Sequence, residues 1–233
     1  MTVNPYQAPT AEPVRPSLGG PEHHYVDQAG RVQLLGGLLV AGAVLGVVSI
    51  GSTWLEMQLL EQAQRGTVSL ADAEASDSRQ QLVGIAGVVL HLVTIVVFAM
   101  FLVRANKNAR AVSGHPLEVT PAWMVWWFCI PFANLFKPYV AVREVWERSK
   151  GAAPPLFGLW WAAWILSGIL SQIAIRMVDP DDTIPELLST DRFSIASDVA
   201  AIVVAVLALW MVRSLHAGQQ RHHQTGRPDL AGL

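Results

Sequence analysis

The sequence predicts an all-α polytopic membrane helix bundle of four spans, with a re-entrant or interfacial hairpin and an amphipathic surface helix. Three observations predict it. Of 233 residues, 52% are hydrophobic and only 15% charged, against about 25% charged in soluble domains; mean hydropathy is +0.36. The apolar residues come in uninterrupted blocks, most of them near the roughly 20 residues that a helix needs to cross the hydrocarbon core. Basic and acidic connectors alternate between those blocks, as they do on the two sides of a membrane.

Residues 1–31 are polar and rich in Pro and Gly, with prolines at 5, 9, 13 and 16. They read as a disordered cytoplasmic tail, with Asn4-Pro5-Tyr6 as an alternative docking peptide. No basic n-region and short apolar run open the chain, so no cleavable signal peptide is expected. The transmembrane domain is expected over residues 32–213 and a second cytoplasmic tail over 214–233.

Span one is expected over residues 32–55, without a charge between Arg31 and Glu56. Gly42 and Gly46 form a GxxxG, with Gly37 and Gly51 near the same register, a spacing that lets a helix of the same chain approach closely. Span two is expected over 82–103, with His91 its one ionisable residue. Span three is expected over 156–175. It opens on Trp160, Trp161 and Trp164, residues of the kind that form interfacial belts. Span four is expected over 193–212 and carries Asp198.

Residues 120–140 form a further apolar segment that proline interrupts. Pro131 sits mid-segment and Pro138 follows, with Asn134 and Lys137 between them. Proline removes a backbone donor and breaks a helix. The ten or so residues before Pro131 rise only ~15 Å, half a bilayer. A hairpin fits that length better than a fifth span. Thr120 suits an N-cap and Pro121 a first helical position. Asn134 can bond the backbone freed at Pro131, and Lys137 can snorkel to headgroups. Over residues 139–149, Tyr139, Val142 and Trp146 share one face. Arg143–Glu147 and Glu144–Arg148 form i,i+4 pairs on the other, giving the surface helix.

Charge sets the parity. Arg104, Lys107 and Arg110 follow span two; Arg143, Arg148 and Lys150 follow the hairpin; Arg213, Arg221 and Arg227 follow span four. The other connectors hold Arg65 and Arg79 against Glu61, Asp72, Glu74 and Asp77, and Asp179, Asp181, Asp182, Glu186 and Asp191. Four spans place every basic segment and both termini in the cytoplasm; a fifth would force one basic cluster outside. The expected location is a bacterial cytoplasmic (cell inner) membrane.

From Phe101 to Ser149 the residues Asn108; Thr120, Pro121 and Trp123; Trp127, Phe128, Ile130 and Pro131; Asn134, Leu135, Pro138 and Tyr139; and Glu144 and Trp146 fall in one order. The segment resembles the bacterial membrane proteins of domain-of-unknown-function family 4328, whose pattern the Trp160-Trp161 pair also fits. Cys129 departs from it, standing where an ordinary aromatic or aliphatic residue is expected. The resemblance implies a membrane location and the same order of spans, and brings no activity with it.

The net charge of −2 argues against nucleic acid as a partner, which would favour a clustered basic face. One cysteine excludes an internal disulfide. No GxSxG, HExxH, Walker-type or GxGxxG pattern occurs, so no catalytic residue and no cofactor is expected. His23, His24, His216, His222 and His223 lack carboxylate or thiolate neighbours at metal-ligand spacing, so no metal is expected. Two function classes remain. One is a non-enzymatic membrane module that binds a protein partner or lipid through its cytoplasmic hairpin. Its candidate residues are Asn108, Pro121, Trp123, Trp127, Pro131, Asn134, Lys137, Pro138 and Tyr139. The other is a small transporter or channel in which His91 and Asp198 approach one another across the bundle. The expected partners are the lipid bilayer, a membrane protein or a lipid, and optionally a second copy of the chain in a homo-oligomer.

Overall fold

A computed structural model describes residues 24–177 and 183–225, and every element in them is helical. Helix α1 is Ala29–Gln64, α2 Leu70–Ser113, α3 Trp123–Trp126, α4 Lys137–Lys150, α5 Pro155–Met177 and α6 Ile184–Gln224. A 3₁₀ turn spans Ala133–Leu135. Four of these helices, α1, α2, α5 and α6, are long and apolar enough to cross a membrane. The chain is a multi-pass membrane protein. Each expected span lies inside one of the four helices. The segment over 120–140 contributes only the four-residue α3, a 3₁₀ turn and the start of α4.

Helix ends follow local chemistry. The Ser69 hydroxyl accepts from Asp72 N at the start of α2, and Gly114 at φ 65° closes its end in the left-handed conformation that glycine adopts without strain. Thr183 and Glu186 form a capping box at the start of α6. Asp198 therefore stands well inside α6.

Helix α1 packs against α2 and α6, and α5 packs against α6; α2 and α5 form no comparable pair. The close α1–α6 contact rests on small residues. A Cβ at Gly46 would come within 3.0 Å of Ile202, and one at Gly36 within 3.3 Å of Leu209. Gly37, Gly42 and Gly51 face open space, so the GxxxG works through Gly46 alone, joined by Gly36 from the helix start.

The start of α1, the ends of α2 and α6, all of α4 and the start of α5 gather at one end of the bundle. Asn108 bonds Val26, Gln219 bonds Ala105 and Ser149, and Phe157 packs on Tyr139 and Trp146. This end carries Arg104, Lys107, Arg110, Arg143, Arg148, Lys150, Arg213 and Arg221. At the opposite end, Arg79 donates to Ser52 Oγ at 3.0 Å and to Ser76 Oγ at 2.9 Å, and Gln80 donates to Glu56.

Four expectations need correction. The predicted N-terminal tail is ordered from residue 24 and helical from Ala29, because Asn108 and Arg104 of α2 bond its backbone; residues 1–23, with Asn4-Pro5-Tyr6, lie outside the described residues. The predicted C-terminal tail is helical to Gln224, because Leu215, Gly218 and Gln219 continue the buried face of α6. Trp160 and Trp161 form no lipid-facing belt. They are 2% and 8% exposed, Trp161 lying against Phe128 of the hairpin and Tyr139 of α4. The Glu144–Arg148 pair is absent, because Glu144 turns to the backbone amides of Glu118 and Val119, at 2.7 and 3.3 Å. The Arg143–Glu147 pair forms at 2.8 Å. The acidic residues 179, 181 and 182 lie outside the described residues, as does Arg227.

Candidate functional site

Residues 115–136 form a hairpin that leaves α2 and returns to α4 at the same end of the bundle. Its entry is built as the residue types dictate. Trp123 N donates to Thr120 Oγ1 at 3.4 Å, and Met124 N to Thr120 O at 3.0 Å, with Pro121 in the first turn. Pro131 ends this turn. Asn134 N reaches back to Ile130 O at 3.0 Å, and Phe132 is forced to φ 61°. That conformation costs a phenylalanine about 1–3 kcal/mol. Pro138 then starts α4 near its N-terminus, where a missing N–H costs nothing.

One face of the hairpin packs on α5. Phe128 meets Trp161 and Trp164 edge to face at 6.3 and 5.8 Å. Trp161 Nε1 donates to Leu135 O at 2.8 Å. From Pro155 to Trp164 the helix rises ~14 Å, so the hairpin runs along the first three turns of α5. Its other face is bare. Trp123, Trp126, Leu135 and Phe136 are each about half exposed, and Phe132 is 81% exposed. Cys129 is exposed on the same hairpin.

A polar frame, buried at Asn106 and half-buried at Arg110 and Glu144, holds this apolar hairpin. Arg110 donates to Asn106 Oδ1 at 3.0 Å, to Leu117 O at 3.0 Å and to Val119 O at 2.9 Å. Asn106 also donates to Val119 O at 2.9 Å. Glu144 grips the following amides. Gln219 of α6 donates to Ala105 O at 2.8 Å and Ser149 Oγ at 3.0 Å, tying α2, α4 and α6 together. Asn106, Asn108, Ser149 and Gln219 are fully buried. Lys150 lies over Trp146, 4.4 Å from the ring centroid. Burial, together with nearby Arg221, lowers its pKa.

The predicted residues separate into three groups. Pro121, Trp123, Trp127, Pro131, Asn134 and Lys137 belong to the hairpin and its exit, with Lys137 Nζ 5.5 Å from the Trp127 ring. Pro138 and Tyr139 face inward; Tyr139 stacks near Phe157 and Trp161 at 5.5 and 6.2 Å. Asn108 is elsewhere, clamping Val26 through both amide atoms at 3.1 and 2.9 Å. His91 and Asp198 do not meet. His91 is exposed on α2, while Asp198 turns to Ser49 of α1. The part that Asn106, Arg110, Glu144, Ser149 and Gln219 play in holding the hairpin was not read in the sequence, where Arg110 stood only as part of a basic cluster and Glu144 only as part of the family pattern and an ion pair. For Asn106 and Arg110 the signal is the apolar stripe Val97, Phe101, Ala105 and Ala109, which continues past Val103 at a spacing of four and shows that α2 goes on.

At the opposite end, a cleft of about 330 Å³ between α1 and α2 is lined by Gln58, Gln62, Asp72 and Arg79. Asp72 is engaged by Ser69, and Arg79 by Ser52 and Ser76.

The model of the family described as Domain of unknown function (DUF4328) matches residues 64–217. No curated protein and no solved structure matches the chain. The matched residues run from the end of α1 to the last turns of α6, include the hairpin with its polar frame, and cover well over half of the sequence. The chain belongs to the DUF4328 family.

Proposed function

We propose that the protein is a non-enzymatic membrane module whose hairpin enters the lipid–water boundary from the cytoplasmic side and binds lipid there. The observation that carries this reading is the bare aromatic face of Trp123, Trp126, Phe132 and Phe136 on a hairpin held by a polar frame. Trp joins an apolar body to one N–H donor, which suits the headgroup boundary. Lys137 supplies a cation beside it. The basic end of the bundle sets the side, since cytoplasmic loops carry the Lys and Arg excess. On this reading both termini are inside, and the membrane is a bacterial cytoplasmic membrane.

A second reading, a membrane-protein partner in place of lipid, is favoured by Phe132. A strained backbone that presents a largely exposed aromatic suits a partner's pocket. A transporter or channel through His91 and Asp198 has less support, because His91 is exposed on α2 while Asp198 turns to Ser49 of α1.

The lone cysteine distinguishes the first two readings. A bimane attached to Cys129 in nanodiscs is expected to emit in the blue, to be quenched by brominated lipid and to resist aqueous iodide. Trp126→Ala with Phe132→Ser should shift it toward iodide quenching, with the helical content unchanged. Iodide quenching in the unmodified hairpin would sink the lipid reading and leave the partner reading.

A further inference from the structure

A second site lies on the seam between α1 and α2, apart from the hairpin. Arg31, in the first turn of α1, reaches across to Met100 O of α2 at 3.4 Å. One turn further along α2, Arg104 donates through Nη2 to His24 O at 2.9 Å. Its Nε is buried and has no partner. Among the described residues no carboxylate pairs with either guanidinium, and the two repel one another. Gln28, three residues before Arg31, is 4% exposed, and both its amide atoms lack partners.

Two guanidinium groups side by side at the membrane boundary, without a carboxylate partner among the described residues, are costly unless an anion joins them. Planar guanidinium donors match the geometry of phosphate. What lies beneath them is apolar and bare. Leu34 is 56% exposed three residues along α1 from Arg31, and Met100 and Val96, four and eight residues before Arg104, are 49% and 58% exposed. These spacings put each apolar residue under its arginine on the same helix face. The seam thus presents paired positive charge above a hydrophobic strip, the profile of one anionic phospholipid: phosphate at the guanidinium groups, acyl chains along the helices.

We propose that Arg31 and Arg104 hold the phosphate of an anionic phospholipid whose chains lie along the exposed seam of α1 and α2. The site does not depend on the hairpin reading, because it shares no residue with residues 115–136. Asp27 does not compete for the pair: its carboxylate caps Ala29 N at 3.1 Å and faces His216 at 3.7 Å.

Native mass spectrometry of the full chain in mild detergent tests it, with phosphatidylglycerol, phosphatidylcholine and inorganic phosphate as probes. The wild type is expected to retain phosphatidylglycerol at least tenfold better than phosphatidylcholine. Each arginine should account for roughly fivefold. Arg31→Gln with Arg104→Gln should remove the preference, while Arg104→Lys, which keeps the charge, should keep most of it. Arg143→Gln, on the exposed face of α4, should change nothing. If the double variant does not extract as a monodisperse species, Arg31→Gln alone decides, since it leaves the Arg104–His24 bond in place. Equal retention of the two lipids by the wild type would overturn the proposal. So would a preference that survives loss of Arg31, or displacement of bound lipid by millimolar inorganic phosphate, which would mark a free-anion site.

Discussion

Arg110→Ala is expected to destabilise the protein by about 3 kcal/mol and to free the hairpin. The substitution removes bonds to Asn106 Oδ1, Leu117 O and Val119 O. Leaving a buried polar group unpaired costs about 1–3 kcal/mol. Asn106 still reaches Val119 O, so part of the frame survives and the three losses do not simply add. Lysine at the same position keeps the charge but loses the planar fork, and should recover less than half of the loss. Thermal unfolding in detergent measures the destabilisation. Protease sensitivity between Leu117 and Thr120 reports the hairpin. An Arg110→Ala protein that unfolds at the wild-type temperature would show that the frame does not hold the hairpin.

Trp146→Ala should cost more, about 3–5 kcal/mol, as for other buried aromatics reduced to a methyl group. Trp146 is 2% exposed. Its ring lies 5.3 Å from Trp210 of α6 and 5.8 Å from Phe157 of α5. It is the contact that seats α4 between those helices. Its loss should unfasten α4 and, through Glu144, the hairpin backbone at Glu118 and Val119. Phenylalanine should cost about 1 kcal/mol, since it keeps most of the ring volume. Trp126, 60% exposed, provides the contrast: its replacement should leave the unfolding temperature unchanged while altering the proposed lipid contact.

The four spans were legible because lipid-facing helices must be apolar over their full crossing, so hydropathy registers them directly. The break at Pro131 was legible because proline acts locally. What lay beyond the apolar windows was hidden. Ala105, Asn106, Ala109 and Arg110 read as a polar loop after span two, yet they form the last turns of a 44-residue helix whose polar groups bond the hairpin. Gln219 likewise read as tail. Such residues are polar because they face other protein groups, and hydropathy cannot tell that from facing water. Pairings across the bundle were equally hidden. His91 and Asp198 lie at similar expected depths, but which helix each faces is decided by packing: Gly46 admits α6 against α1, so Asp198 meets Ser49. Asn108 stood out through the family pattern. Its partner, the backbone of Val26, is 82 residues away and carried no signal of its own.

The central claim is that the hairpin enters and leaves on one side, the cytoplasmic side, and that the bundle has four crossings. Cysteine accessibility tests it most directly. Ser149 is unsuitable as a probe position, since it is buried against Gln219, and Gly114 sits at φ 65°. His115 and Arg148 are both exposed and flank the hairpin. In a Cys129→Ala background, His115→Cys and Arg148→Cys are each probed with a membrane-impermeant maleimide. Both should label in inside-out vesicles and neither in right-side-out vesicles. Labelling of the two positions from opposite sides would establish a fifth crossing, place the C-terminal end of α6 outside, and contradict the account.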